Sequence, residues 1–186
     1  RNCYSLKQAL TSKNVSGVIA EFKRKSPSKG EINATANVAD LTKAYVRAGA
    51  SALSVLTDTM FFGGCTGDLI AAREANQVPI LRKDFIVNQY QIYEAKAIGA
   101  DVILLIAAAL GKNQTAALAK KAHELGLEIL LELHSEEETE WICPEVDVVG
   151  INNRNLKTFE VSIEQSIRLA AELPEDKVRI SESGIK

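Results

Sequence analysis

Seven short runs of apolar, largely β-branched residues recur along this chain at the spacing of a β/α unit. No other feature restricts the fold as much. The runs are Val18–Ala20, Ala52–Leu56, Val78–Leu81, Val102–Ile106, Ile129–Leu131, Val146–Ile151 and Val178–Ile180. Runs this short and this continuous read as parallel strands buried on both faces. Amphipathic helix patterns lie between them. Val38, Leu41, Tyr45 and Ala48 share one helical face. Ser135–Glu138 and Ser162–Gln165 have the capping-box form, a hydroxyl followed three residues later by Glu or Gln. Asn88 and Asn113 are expected to N-cap two more helices. Gly49, Gly99 and Gly126 each stand just before a strand, where glycine ends a helix in the left-handed conformation. The repeat runs on without a linker, so one α/β domain over residues 1–186 is expected.

A repeated β/α unit leaves two architectures, a closed barrel or an open doubly wound sheet. The glycine-rich fingerprints of nucleotide-binding open sheets, GxGxxG and GxxxxGK[ST], are absent. Almost every strand ends in ionisable or amide groups: Glu21 and Lys23, Thr57 and Asp58, Lys83 and Asp84, Glu132, Asn152 and Arg154, Glu182 and Ser183. In a TIM (βα)8 barrel these ends converge on one site, whereas an open sheet would spread them along an edge. The barrel is therefore the expected fold, with seven of its eight β/α units visible. A complete barrel takes about 250 residues, against 186 here. The chain thus reads as lacking a final β/α unit and an N-terminal extension.

Composition removes several partners. Lys and Arg total 22 against 24 Asp and Glu, a net charge of -2, which offers no electrostatic footprint for nucleic acid. No apolar run approaches the ~20 residues of a membrane helix. Cys3, Cys65 and Cys143 are odd in number and far apart, which fits free thiols in a reducing cytoplasm. His123 and His134 fall in no metal-ligand spacing, so both read as structural and no metal is expected.

The strand-end residues suggest chemistry one by one. Glu21 and Lys23 are two apart in a strand and face the same side, into a barrel near its mouth; they read as catalytic groups or as a structural ion pair. Ser26 to Gly30 form a polar loop whose hydroxyls and N–H groups suit a phosphate or a substrate cover. Lys83 at a buried strand end is costly unless paired or used, and a desolvated lysine loses basicity and can act as a general acid. Phe61, Phe62 and Phe85 cluster after two strands and suggest an aromatic substrate. Glu132 closes an apolar run, where a carboxyl is expected to have a raised pKa and to serve as a base. Asn152 and Arg154 suit a sugar hydroxyl or a carboxylate. Ser183 and Gly184 lie where barrels commonly begin a phosphate site.

Five stretches taken together resemble the indole-3-glycerol phosphate synthase family of tryptophan biosynthesis. They are Ile19–Gly30, Ala52–Asp58, Lys83–Ile86 with Gln89–Tyr93, Gly150–Leu156 and Ser181–Ile185. The resemblance implies a TIM (βα)8 barrel, no cofactor and no metal. It implies a carboxy-lyase that closes the ring of 1-(o-carboxyphenylamino)-1-deoxyribulose 5-phosphate, with loss of CO₂ and water. The partner it implies is that small phosphorylated aromatic amino-sugar, together with association with other tryptophan-pathway enzymes. Carried over by residue, Lys83 is similar to the general acid on the ketone oxygen. Lys23 is similar to the lysine near the substrate carboxylate, Glu132 to the base of the dehydration, and Glu21 to the group that orients the lysines. The division of roles between the two lysines stays open. Asn152, Arg154, Glu182 and Ser183 would position the substrate; Phe61, Phe62 and Phe85 would hold its ring; Ser26, Ser183 and Gly184 would meet the phosphate.

Two departures stand out. Cys65 replaces a usual Ser, and Thr59–Met60 a more usual charged pair. Two other readings remain: another phosphate-sugar barrel enzyme of the same pathway, and a truncated barrel with little or no activity. The first would use a Cys/Asp or Glu/Asp pair and lack the combination of Glu21, Lys23 and Lys83–Phe85.

Overall fold

Each of the seven apolar runs forms a strand of one parallel sheet. β1 (Ile19–Phe22) is followed by a small hairpin of β2 (Lys25–Ser26) and β3 (Gly30–Glu31). β4 (Ala52–Leu56), β5 (Ile80–Lys83), β6 (Val102–Ile106), β7 (Glu128–Leu133), β8 (Val148–Asn152) and β9 (Val178–Glu182) complete the set. The sheet order is β1-β4-β5-β6-β7-β8-β9, every neighbouring pair parallel. The computed structural model describes residues 1–154 and 161–185. Asn155 and Leu156 of the Gly150–Leu156 stretch, and Lys186, lie outside the described residues.

Helices α1 (Leu6–Thr11), α2 (Val38–Arg47), α3 (Thr66–Ala75), α4 (Gln89–Ala97), α5 (Ala107–Leu110), α6 (Lys112–Glu124) and α7 (Ile163–Glu172) alternate with the strands. Strand alternation sorts the apolar residues into two cores. Leu53, Val55, Ile103, Leu105, Ile129, Leu131, Val149 and Ile151 pack in the cluster that includes the helices' buried faces. Ala52, Leu81, Val102, Leu104, Leu130 and Val148 point the other way and form an inner cluster. A sheet with a dry core on each face needs near-continuous apolar strands, which is what the seven runs supply.

Local capping differs from the sequence reading in instructive places. Asn88 caps α4 with a full capping box shared with Gln91, as its position suggests. Asn113 does not cap; it lies inside the first turn of α6, whose N-cap is Gly111. Ser135 starts no α-helix either. A short 3-10 helix spans Glu137–Trp141, and Glu138 accepts instead from the His134 N–H at 2.7 Å. Ser162 does stand at the N-cap of α7, but its hydroxyl donates to Glu164 at 2.9 Å. Cys65 occupies the N-cap of α3 and makes no side-chain cap bond.

Helix α1 is not among the helices that the sequence pattern predicts. Ser5 accepts from the Gln8 N–H at 3.1 Å and so starts it. The Lys7 N–H bonds Glu128, the first residue of β7, at 3.0 Å, and the Ser5 hydroxyl bonds the same carboxylate. Leu6 is fully buried in the inner cluster beside Ala52 and Val102, the first residues of β4 and β6. The helix therefore plugs the strand-start end of the inner core and leaves the opposite end open. Replacing Leu6 with Ala should cost about 2–5 kcal/mol, read as a lower urea midpoint; an unchanged midpoint would show that the plug contributes nothing.

Candidate active site

β5 and β9 lie four strand spacings apart in the sheet order. In a flat sheet that is about 19 Å, too far for two side chains to meet. Yet Lys83 Nζ, at the end of β5, donates to Glu182 Oε2, at the end of β9, at 2.5 Å. The sheet must therefore curl, and its strand ends must converge. The same ammonium donates to Glu132 Oε2 on β7 at 3.2 Å. Glycine makes the reach possible: a Cβ on Gly150 of β8 would run into the Glu182 carboxylate.

Glu132 takes three partners. Oε2 receives Lys83, while Oε1 lies 3.0 Å from Asn152 Nδ2 and 3.1 Å from His134 Nε2. Burial alone would raise its carboxyl pKa. The Lys83 charge and the hydrogen bonds from His134 and Asn152 outweigh burial and hold it at about 2. Burial would likewise strip Lys83 of its proton, but the charges of Glu182, Glu132 and Glu21 keep its pKa above the ordinary lysine value. Glu182 has the opposite balance: burial, with the nearby charges of Glu132 and Glu21, lifts it above the ordinary range despite Lys83.

These directions correct the sequence reading. Neither the expected loss of basicity at Lys83 nor the raised pKa of Glu132 holds in this site, because each group is the other's counter-ion. The carboxyl with raised proton affinity is Glu182.

Glu21 and Lys23 do share a face, and Lys23 Nζ donates to Glu21 Oε1 at 2.7 Å. The Ser54 hydroxyl of β4 reaches the other Glu21 oxygen at 3.3 Å. The three phenylalanines come together as expected. Phe85 meets Phe61 edge-on with centroids 6.0 Å apart and lies 6.3 Å from Phe62. Asp58 fixes that loop by accepting the N–H groups of Phe61 and Phe62 at 2.6 and 3.2 Å. Phe61 and Phe85 stay 48% and 41% exposed, which leaves ring area free to meet a ligand.

Asn152 links the cluster to Arg154 by accepting the Arg154 N–H at 3.0 Å. Ser183 and Gly184, just past β9, both adopt φ 68. Asn153 pins this turn: its Nδ2 donates to Ser183 O at 2.7 Å and to Ser181 Oγ at 2.9 Å. Ser26 sits in the hairpin, where its hydroxyl accepts the Lys29 N–H at 3.2 Å. The hairpin is tied to the phenylalanine loop by Lys25 N–H to Phe62 O at 3.1 Å.

Two strand-end groups do not belong to the cluster. Thr57 and Asp84 bond to each other at 2.6 Å and to the buried Arg82, at 3.1 and 3.0 Å. Arg82 also meets Glu94 of α4 at 2.7 Å, so this network lies on the helix side. It anchors the end of β5 and so aims Lys83 inward. Asn153, in the same Asn152–Arg154 run, holds the turn instead of facing the cluster. Ser54 and His134 are not among the expected site residues; the two-residue spacing from Glu132 is the signal that points to His134.

No helix among the described residues is long and apolar enough to cross a membrane. The family model described as "Indole-3-glycerol phosphate synthase" matches residues 1–186. Proteins of that name are similar to the chain. One from Bacteroides thetaiotaomicron is 56% identical over 181 residues, covering 97% of this chain and 69% of the relative. One from Polynucleobacter asymbioticus is 50% identical, covering 91% and 64%. One from Neisseria meningitidis is 51% identical, covering 92% and 66%. The chain thus spans about two thirds of the length of these relatives. A solved structure titled "Native KDPGal structure" aligns over 91% of this chain and 73% of its own at a TM-score of 0.60; at 13% identity the likeness concerns the fold alone.

The two carboxylates that bracket Lys83 should act on stability with opposite signs. The depressed pKa of Glu132 contributes stability that is complete above about 4.5 and lost as pH falls through about 2. The raised pKa of Glu182 gives stability below its unfolded value that is lost as pH rises through the folded one. At pH 7, Glu132→Gln should therefore destabilise the chain, on the order of 3 kcal/mol, and Glu182→Gln should stabilise it. Urea midpoints that move in the same direction would contradict this assignment.

Proposed function

The chain belongs to the indole-3-glycerol phosphate synthase family, and from that premise we propose that its strand-end cluster carries out the family's ring closure. The proposed substrate is 1-(o-carboxyphenylamino)-1-deoxyribulose 5-phosphate. The observation that carries the reading is the Lys83 ammonium, buried at the mouth between Glu132 and Glu182. A charged donor so placed is suited to a ketone oxygen that gains negative charge as a ring carbon attacks it.

In this reading Lys83 leaves its carboxylates and protonates the ketone oxygen as the carbon–carbon bond forms. Rearomatisation then drives loss of CO₂, so the ring itself takes up the electron pair. In the dehydration that follows, Glu132 takes the proton from carbon, its basicity having risen once the Lys83 charge has moved away. A lysine ammonium at the mouth, Lys23 or a reprotonated Lys83, gives a proton to the departing hydroxyl, which leaves as water. Lys23 holds the substrate carboxylate, and Glu21 orients both lysines. Asn152, Arg154, Glu182 and Ser183 position the sugar. Phe61, Phe62 and Phe85 face the anthranilate ring, and Ser26, Ser183 and Gly184 receive the phosphate. We assign the same setting as the family's pathway, the cytoplasm, and association with other tryptophan-pathway enzymes.

Adding the substrate and following indole fluorescence tests the reading. The unsubstituted chain should turn over, and Lys83→Ala or Glu132→Gln should each lower kcat by roughly 10²–10⁴. Near-unsubstituted rates in both variants would sink the assigned roles, and no product from the folded chain would favour an inactive barrel.

A further inference from the structure

The Lys83 ammonium serves two carboxylates at once. On the function proposed above, it must leave Glu132 when the ketone binds. A buried carboxylate abandoned by its only donor would rotate or take up a proton. Glu132 has donors in reserve, and one of them is a side chain that the reaction does not otherwise use.

His134 stands just past the end of β7, two residues after Glu132, and its ring lies against that carboxylate. Its ring is nearly buried, with 10% of the side chain exposed, and Nε2 lies 3.1 Å from Glu132 Oε1. An ionised carboxylate only accepts, so a hydrogen bond across that contact has Nε2–H as its donor. On the other side, Nδ1 lies 4.0 Å from Glu138 Oε2, the oxygen that also accepts the His134 backbone N–H at 2.7 Å. The imidazole is thus held between a carboxylate of the strand and a carboxylate of the 3-10 helix Glu137–Trp141.

We propose that His134 is a positioning residue: through Nε2–H it keeps the Glu132 carboxylate ionised and aimed into the mouth after Lys83 turns to the substrate. Asn152 Nδ2, on the same oxygen, shares this task but carries no charge. The ring faces Glu132 on β7, Glu138 on the 3-10 helix and, at longer range, Glu182 on β9. Burial lowers its proton affinity, and these three carboxylates more than restore it. The inference rests on the function proposed above for its catalytic meaning, but the pairing itself is independent of any substrate.

The test has two arms on the full chain. In the first, ¹⁵N-imidazole NMR follows the His134 ring through a pH titration. Its neutral form should be protonated on Nε2, and Glu132→Gln should lower its midpoint. A His134 midpoint that ignores Glu132→Gln overturns the proposal, whatever the activity. In the second arm, His134→Ala should lower kcat by about ten- to a hundredfold, as losing an orienting partner does, with KM nearly unchanged. His134→Gln, whose amide N–H can reach the same oxygen, should recover most of the loss. Full kcat in His134→Ala overturns the proposal. Absence of turnover in the unsubstituted chain would instead count against the function, and the NMR arm would still decide the pairing.

Discussion

The ammonium of Lys83 is the interaction on which the remaining geometry depends. Its contacts with Glu132 and Glu182 join β5, β7 and β9 at one end, which a flat sheet could not do. Curling brings the opposite sheet edge into range as well, since the Glu21 charge on β1 acts on both Lys83 and Glu182. A buried charge cluster is a poor stabiliser, because the cost of desolvation offsets most of the attraction. Glu182 illustrates this: its carboxyl is held in a form that favours a proton. An arrangement that stabilises so little is better explained by what its groups can do than by what they hold together.

The surroundings fix the cluster from outside. Arg82, one residue before Lys83 and on the other face of β5, bonds Thr57, Asp84 and Glu94 and locks the strand end. Asn153, next to Asn152, bonds the turn after β9, and its own oxygen receives Ser166 of α7. Asp58 sets the phenylalanine loop. Lys83 and Asn152 thus each have a neighbour, Arg82 and Asn153, that faces away from the cluster and is tied to a helix. Alternation along a strand lets the outer network aim the inner one.

That alternation also explains what could be read from the sequence. Parallel strands buried on both faces leave an unmistakable apolar signature, and all seven were legible. Residue types at strand ends were legible too: Lys83, Glu132, Glu182 and Asn152 meet, and Glu21, itself paired with Lys23, acts on them through its charge. Which side each end group takes is less legible: Thr57 and Asp84 stand at strand ends like the mouth residues, but Asp84 is one residue from Lys83 and faces away. Helix α1 is short, and the hydroxyl-to-Gln spacing of Ser5 and Gln8 is its one sequence signal. Proton affinities were not legible, because they depend on who meets whom. Burial predicts a basic Glu132 and a weakly basic Lys83, and their contact reverses both. His134 falls in no metal-ligand spacing, and its relevant neighbour is a carboxylate two residues earlier.

If the cluster is a catalytic one, a ligand must draw Lys83 away from its carboxylates, and the carboxyl pKa values must rise as it leaves. An analogue of the proposed substrate with its ketone reduced to an alcohol can bind without reacting. Calorimetric titration of the chain with this analogue, repeated at one pH in buffers of different ionisation enthalpy, counts the protons exchanged. The account predicts net proton uptake on binding, taken up at the Glu182 carboxyl, while His134 and Asn152 keep Glu132 ionised. Binding with a heat independent of the buffer, or with proton release, would contradict it.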